Sequence, residues 1–474
     1  MLAKPVGGSG SVANPLEADL NFATYKAVAM ACDNGATLPT SPTPVVGQWF
    51  LHTPTGRSIL MQYSGTVWIP IYAFGATTMY VSTTGTDDAA HGTATGTDAF
   101  LTLTYALSMV PPLCSGNVII YAGVGTFAED VVVQGKLCTG PYTLTIQGTL
   151  TSLLTASMDS GVQGSGATVG SVTDTGAFAA TVYTTVDATS AAAQKVLNVT
   201  STTGFAVGDT ILINSGGARQ ELATVKTITD GVALNLVYNL QYEHTGVQAD
   251  AVAQCQYAGK QIEVGTDIRV IDYHTANTVY IAGYFSAEIS GTYTIYDYGT
   301  VVGLSATFSV YVNQPNMPVY FRQIKITGQT LHYSFTLACY HNCEFDGGYV
   351  NATVYSYVEV YYCYANDCCL LYQGAGGKIY SNKLKAIVGT GNRGMYLYSG
   401  GLVFVRNMNT VSGWNQGVSI SDGTICSGSY TGIRCCTTGA SATNAGQLKN
   451  LSLFTFTNCA TNSTVDAATF ALST

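Results

Sequence analysis

Residues 357–386, YVEVYYCYANDCCLLYQGAGGKIYSNKLKA, place six tyrosines in thirty positions, in short bursts broken by Asn, Gly or Lys. No burst is long enough for a helix, and the polar breaks exclude a membrane span. The bursts read instead as short strands divided by tight bends. Working outward, the same pattern recurs beyond Gln261. Gln323, Asn342, Cys363, Asn382, Asn407, Ser427 and Asn458 each follow a strand-like run, at steps of 19, 21, 19, 25, 20 and 31 residues. Two positions before them stand Phe321, Tyr340, Tyr361, Tyr380, Val405, Ile425 and Phe456. A repeat of about twenty residues that cannot bury its own apolar face must be covered by its neighbours, which is the grammar of a solenoid. In this register Lys325 lies over Glu344, Arg322 lies over His341 with Tyr362 on the next rung, and Tyr361 and Tyr380 turn inward.

Stacked parallel coils set equivalent side chains about 4.8 Å apart, so apolar residues and Asn stack well while like charges repel at every rung. That accounts for a composition with only 9% charged residues and with 52 Gly and 32 Tyr. The net charge of -9 and 18 dispersed Lys and Arg exclude a nucleic-acid partner, which needs a basic stripe. No polybasic patch or long apolar run suggests membrane insertion. The start, MLAKPVGGSGSVANP, lacks the apolar core of a secretory signal, so an extracellular destination implies release by lysis from a host cytoplasm.

Thirteen cysteines are an odd number in a long chain, which favours reduced, buried filler over a disulfide scaffold. Cys339, His341, Cys343 and Cys363 lack zinc-site spacing. No metal or cofactor is expected.

Along the chain, residues 1–76 read as a β-rich head, with a short helix beginning at Asn14 and strands at QWFLHT, SILMQYS and TVWIPIYAF. Residues 77–164 open the solenoid. There Phe100, Leu103, Ala106, Leu107 and Val110 recur at helical spacing before Pro111-Pro112, and the strands NVIIY, EDVVVQG and YTLTIQG follow too closely for crossover helices. Asp87-Asp88 reads as a turn. Residues 165–256 form an inserted antiparallel module with strands near Leu197, Ile211, Leu222 and Leu234, in which Glu243-His244 reads as a surface turn. The body spans 257–440 and a terminal coil and cap 441–474.

The stretch YVSTTGTDD, AFLTLTYALSMVP, GNVIIYAGVGTFAEDVVVQGK, within 79–136, resembles the opening of pectate-lyase-like right-handed parallel β-helix proteins, in which a short helix caps the open end. NPLEADLNFATYKAV in the head resembles the N-P-x-x-x-D-L-x-x-x-x-x-K motif of phage tail-fibre proteins, and VTSTTGFAVGDTILINSGGARQELATV resembles a β module inserted in phage structural proteins. The resemblance implies an all-β phage tail spike or fibre, a homotrimer located on the virion. It further implies a head docked on tail or capsid proteins and a body that binds host surface polysaccharide.

Two functional classes follow. A non-catalytic spike would bind glycan through exposed Tyr and Asn, with Arg322, His341 and Tyr362 as candidate contacts and Tyr supplying flat faces for sugar rings. A depolymerase would cleave the glycan. Hydrolysis needs two carboxyls roughly 5 Å or 6.5–9.5 Å apart, for which Glu344 and Asp346 are the local candidates, and elimination needs a base and a cation. The catalytic Arg/Lys motif of secreted pectate lyases is not recognisable in the sequence, so the first class is the expectation.

Overall fold

The computed structural model describes residues 33–465 with short breaks, the longest at 160–169 and 304–309, together with 21–22 and 25–26; from 366 onward it describes few side chains. The expected helix at Asn14 and the expected cap beyond 465 lie outside these residues. The chain divides into two compact units, one of 1–121 with 136–144 and one of 122–135 with 145–474.

In the first unit a six-stranded sheet runs in the order 137–138, 113–114, 68–73, 59–63, 49–52, 33–35. Alternation along its strands buries Phe50, Ile59, Met61 and Ala73. The unit extends past residue 76 because 68–73 pairs with 113–114, and 113–114 pairs with 137–138. The helical spacing yields a single α-helix, Leu103–Met109, with Leu103, Ala106 and Leu107 buried. Thr102 caps it by accepting from the Tyr105 amide, and Asp87 accepts from the Leu101 and Thr102 amides and the Thr102 hydroxyl.

The second unit is a parallel β-helix. Ladder A stacks nine strands, from Gly125–Phe127 and Thr300–Val302 through Lys325–Thr327, Glu344–Asp346 and Tyr364–Asn366 to Phe454–Thr457. Ladder B also stacks nine, from Val131–Gln134 through Thr330–Tyr333 and Tyr349–Ala352 to Thr461–Val465. Ladder C carries Val319–Arg322, Leu337–His341, Tyr357–Tyr361, Lys378–Asn382 and successive strands to Gln447–Lys449. All three pair in parallel, so each rung covers the apolar edge of the last.

The interior is built from columns one strand spacing apart. Ile326, Phe345 and Ala365 line ladder A, and Phe321, Tyr340 and Val360 line ladder C, all buried. Phe321 and Tyr340 lie nearly parallel, centroids 4.9 Å apart, and Tyr340 meets Phe345 edge-on at 5.1 Å. On ladder B, His332 faces inward between Val312 and Ala352. Its Nδ1 sits 2.9 Å from the Asn351 carbonyl and must donate, so Nε2 accepts from the Tyr340 hydroxyl at 2.9 Å. Burial pushes its pKa down to about 4, which keeps the imidazole neutral and the buried pair satisfied.

Ladder C turns into ladder A through two residues. The first is left-handed at Gln323, Asn342 and Tyr362 (φ 56, 51 and 51°), and the second, Ile324, Cys343 or Cys363, fills the inner corner. The expected anchor Cys363 is therefore one position late, Asn382 and Ser427 fall within ladder C strands, and Phe456, expected on the same ladder as Phe321, lies on ladder A. His341 pairs with Tyr361, not Tyr362, and Tyr361 faces outward with Val360 inward. The shift arises because a bulky tyrosine occupies a backbone region that usually selects Asn or Gly. Tyr380 pairs in register with Glu359, and its side chain lies outside those described.

One bend is expanded into a long excursion. Antiparallel strands 183–185, 251–254, 210–213, 221–229, 233–236 and 196–198 form a nested sheet around Leu197, Ile211, Val225, Leu234 and Val252. A second antiparallel sheet, 150–157, 292–298, 261–264, 267–274, 278–281 and 171–173, surrounds it in sequence. Antiparallel pairing thus extends beyond the expected 165–256, and the parallel path resumes at Thr300 rather than 257. The ends of the excursion meet where the Gly299 amide donates to the Thr149 carbonyl at 2.9 Å.

His244 is not on a surface turn. It is fully buried, with Nε2 2.7 Å from Glu221 and Nδ1 2.8 Å from Asp250, and Arg219 also reaches Asp250 at 3.2 Å. Burial opposes its protonation, but the hydrogen bonds and charges of Glu221 and Asp250 outweigh burial and raise its pKa above the ordinary 6.5.

Two outcomes follow for stability. A Cβ at Gly148 would stand 2.3 Å from the Gln323 carbonyl oxygen, so Gly148→Ala should cost about 1–3 kcal/mol, read as a lower thermal midpoint. A raised histidine pKa stabilises most below the unfolded value and is lost as pH rises through the folded one. The nested sheet should therefore exchange its amides faster at about pH 9 than at about pH 6 beyond the intrinsic rate change, and His244→Gln should abolish that difference.

Candidate functional site

The candidate residues do not share one face: Arg322 and His341 lie on ladder C, Glu344 and Asp346 on ladder A, and Tyr362 in the bend between the two.

On ladder A, register sets Lys325 against Glu344, as the spacing indicates. The Lys325 ammonium is 2.9 Å from Glu344 Oε1 and 2.8 Å from Asp346 Oδ2. Burial raises the Glu344 carboxyl above the ordinary range against the pull of Lys325 and Lys260. The excursion folds back over this face. Gln261 Nε2 donates to the Asn342 carbonyl at 2.6 Å, and Tyr364 packs into the hydrophobic cluster of the nested sheet beside Val270. The Arg269 guanidinium lies 4.4 Å from the Tyr362 ring centroid, a cation–π contact that holds this left-handed tyrosine. Glu344 and Asp346 are thus engaged by one lysine, and Tyr362 is engaged by the excursion.

On ladder C, alternation sends Tyr320 and Arg322, then Cys339 and His341, then Tyr357, Glu359 and Tyr361 outward. Arg322 is exposed, with its guanidinium 5.4 Å from the Tyr320 ring centroid. His341 and Tyr361 stack at 5.0 Å and 6°. Burial and then the Arg322 charge lower the His341 pKa, so its ring is neutral at neutral pH. Glu359 accepts from the Tyr357 hydroxyl at 2.9 Å and from the Cys339 thiol at 3.3 Å. Rings stacked along the ladder offer their edges to solvent, not their faces. This surface therefore presents a phenol, an imidazole, a guanidinium and a carboxylate, groups that interact through hydrogen bonds and charge.

Cys343 and Cys363 sit in the buried corner, whereas Cys339 and His341 share the outer face. Among the described residues no histidine, cysteine and carboxylate cluster has the arrangement of a metal site. The sequence reading missed Tyr320, Glu359 and Tyr361 as site residues, although the two-residue alternation from Arg322 marks Tyr320.

No family model and no curated protein matches the chain. Among solved structures it is similar to the tailspike gp61 of Pseudomonas phage phi297, with 10% identity over 77% of this chain and a TM-score of 0.19. It is also similar to the tailspike gp49 of Pseudomonas phage LKA1, with 12% identity over 70% of this chain and a TM-score of 0.21. A third is the Gp54 tailspike of Acinetobacter baumannii bacteriophage AP22, solved with a capsular saccharide, with 11% identity over 73% of this chain and a TM-score of 0.16. The matches span 66%, 55% and 64% of those three chains. At such TM-scores the fold rests on the strand register of the chain itself.

If the ladder A triad is a structural ion pair, Lys325→Met alone strands buried Glu344 and should cost about 3–5 kcal/mol. Lys325→Met with Glu344→Met should recover most of that loss in the thermal midpoint.

Proposed function

We propose that the protein is a phage tail spike or fibre component that binds a host cell-surface polysaccharide along the outer face of ladder C. The observation that carries this reading is the polar row Tyr320, Arg322, His341 and Tyr361 along the outer face of a parallel sheet, one rung after another. A stacked sheet holds such groups at fixed spacing, so a repeating polymer meets them without ordering loops, which lowers the entropic cost of binding. Support for a viral setting comes from the opening of the solenoid at 79–136 and the Asn14–Lys26 motif, which resemble those of phage spikes and fibres. On this reading the first unit docks on tail or capsid proteins, the working form is a homotrimer, and the virion is its location.

Glu344 and Asp346 are assigned to stability in this reading, because a carboxyl pair shared by one ammonium is poorly placed to donate and accept protons at a glycosidic bond. The expected outcome with purified protein and host envelope polysaccharide is saturable binding without new reducing ends and without the ultraviolet band of an unsaturated uronate. Light scattering should give a mass of three chains. Cleavage that vanishes in Glu344→Ala would overturn the assignment, and a monomer mass would remove the trimer.

A further inference from the structure

Arg322 stands apart from the other cations described around it. Lys260 pairs with Asp297, Arg269 with Asp267, and Lys325 with Glu344 and Asp346. Among the described residues no carboxylate lies within ion-pair distance of Arg322. The acid on this face, Glu359, is occupied by the Tyr357 hydroxyl and the Cys339 thiol. The guanidinium is meanwhile held over Tyr320, and a fork fixed on a ring is pre-organised for a planar anion. On the next rung His341 is uncharged, and neither ring nitrogen hydrogen-bonds another described residue. It can therefore donate to or accept from a hydroxyl without adding charge. Aromatic edges, rather than faces, complete the surface, so stacking on a neutral sugar is the weaker contribution here.

We propose that this face selects a polysaccharide whose sugars carry carboxylates, with Arg322 gripping the carboxylate and His341 and Tyr361 hydrogen-bonding hydroxyls along the adjoining rungs. The inference rests on the glycan-binding reading above and adds the chemical class of the ligand. It fits an acidic chain of net charge -9 because the local guanidinium, not the overall field, supplies the attraction.

The test is titration calorimetry of the intact protein against polygalacturonate, alginate, hyaluronate and polysialate, each beside a counterpart whose carboxylates have been reduced to alcohols. At least one carboxylated polymer should bind. Its reduced counterpart should bind about tenfold more weakly or worse, as expected for loss of one charge-assisted contact. Arg322→Gln should weaken the carboxylated polymer by the same factor, leave the reduced one unchanged, and keep the thermal midpoint of the parent. Equal binding of the two forms, binding of reduced forms alone, or an unaltered affinity in Arg322→Gln overturns the carboxylate inference while leaving glycan binding intact. Binding of no polymer in either form overturns both.

Discussion

Parallel pairing in register is the constraint from which the rest of this molecule follows. Each side chain on ladders A, B and C meets its equivalents about one strand spacing above and below. A residue type is therefore admitted only if it tolerates its own repetition. Phe321 over Tyr340 and Ile326 over Phe345 satisfy that rule inside, and His341 over Tyr361 satisfies it outside. Charges enter as complements, as Lys325 does against Glu344. The scarcity of charged residues and the abundance of tyrosine express this one demand.

The excursion between Thr149 and Gly299 decides which outer face remains open. By folding back it engages Asn342, Tyr362 and Tyr364 beside buried Glu344, so these rungs of ladder A are taken up by internal contacts. Among the described residues, ladder C carries a guanidinium with no carboxylate at ion-pair distance and a neutral imidazole. The difference between the two faces at these rungs reflects the path of one expanded bend as well as the residues each ladder carries.

Much of this architecture is legible in the sequence. The repeat of about twenty residues, the helix over 103–109, and the register of Lys325 on Glu344 and of Arg322 on His341 all follow from spacing, because period and alternation are local properties of the chain. Two things are not. Tyr362 holds a left-handed turn through Arg269, a residue far away in sequence, so the anchor was misplaced by one position and Tyr361 was turned to the wrong face. The outer antiparallel sheet of the excursion also escaped notice, since strands such as Gln261–Val264 and Thr292–Tyr298 have the same composition whether they pair in parallel or antiparallel fashion. His244 illustrates the same limit: only the fold brings Glu221 and Asp250 to its two nitrogens.

The seam at which Gly299 meets Thr149 also bears on the order of assembly. Gly125 pairs with Thr300, so the opening rung can find its partner only after everything between them has been threaded out and brought back. Closing so long a floppy segment is entropically unfavourable, whereas a pre-folded insert whose two ends already touch shortens the effective tether. Coil growth on the distal side, from Thr300 to Val465, needs only near neighbours and can proceed like a zipper. The pairing of Gly125 with Thr300 is thus the longest-range closure in the described part of ladder A, while the coils beyond it close over about twenty residues at a time.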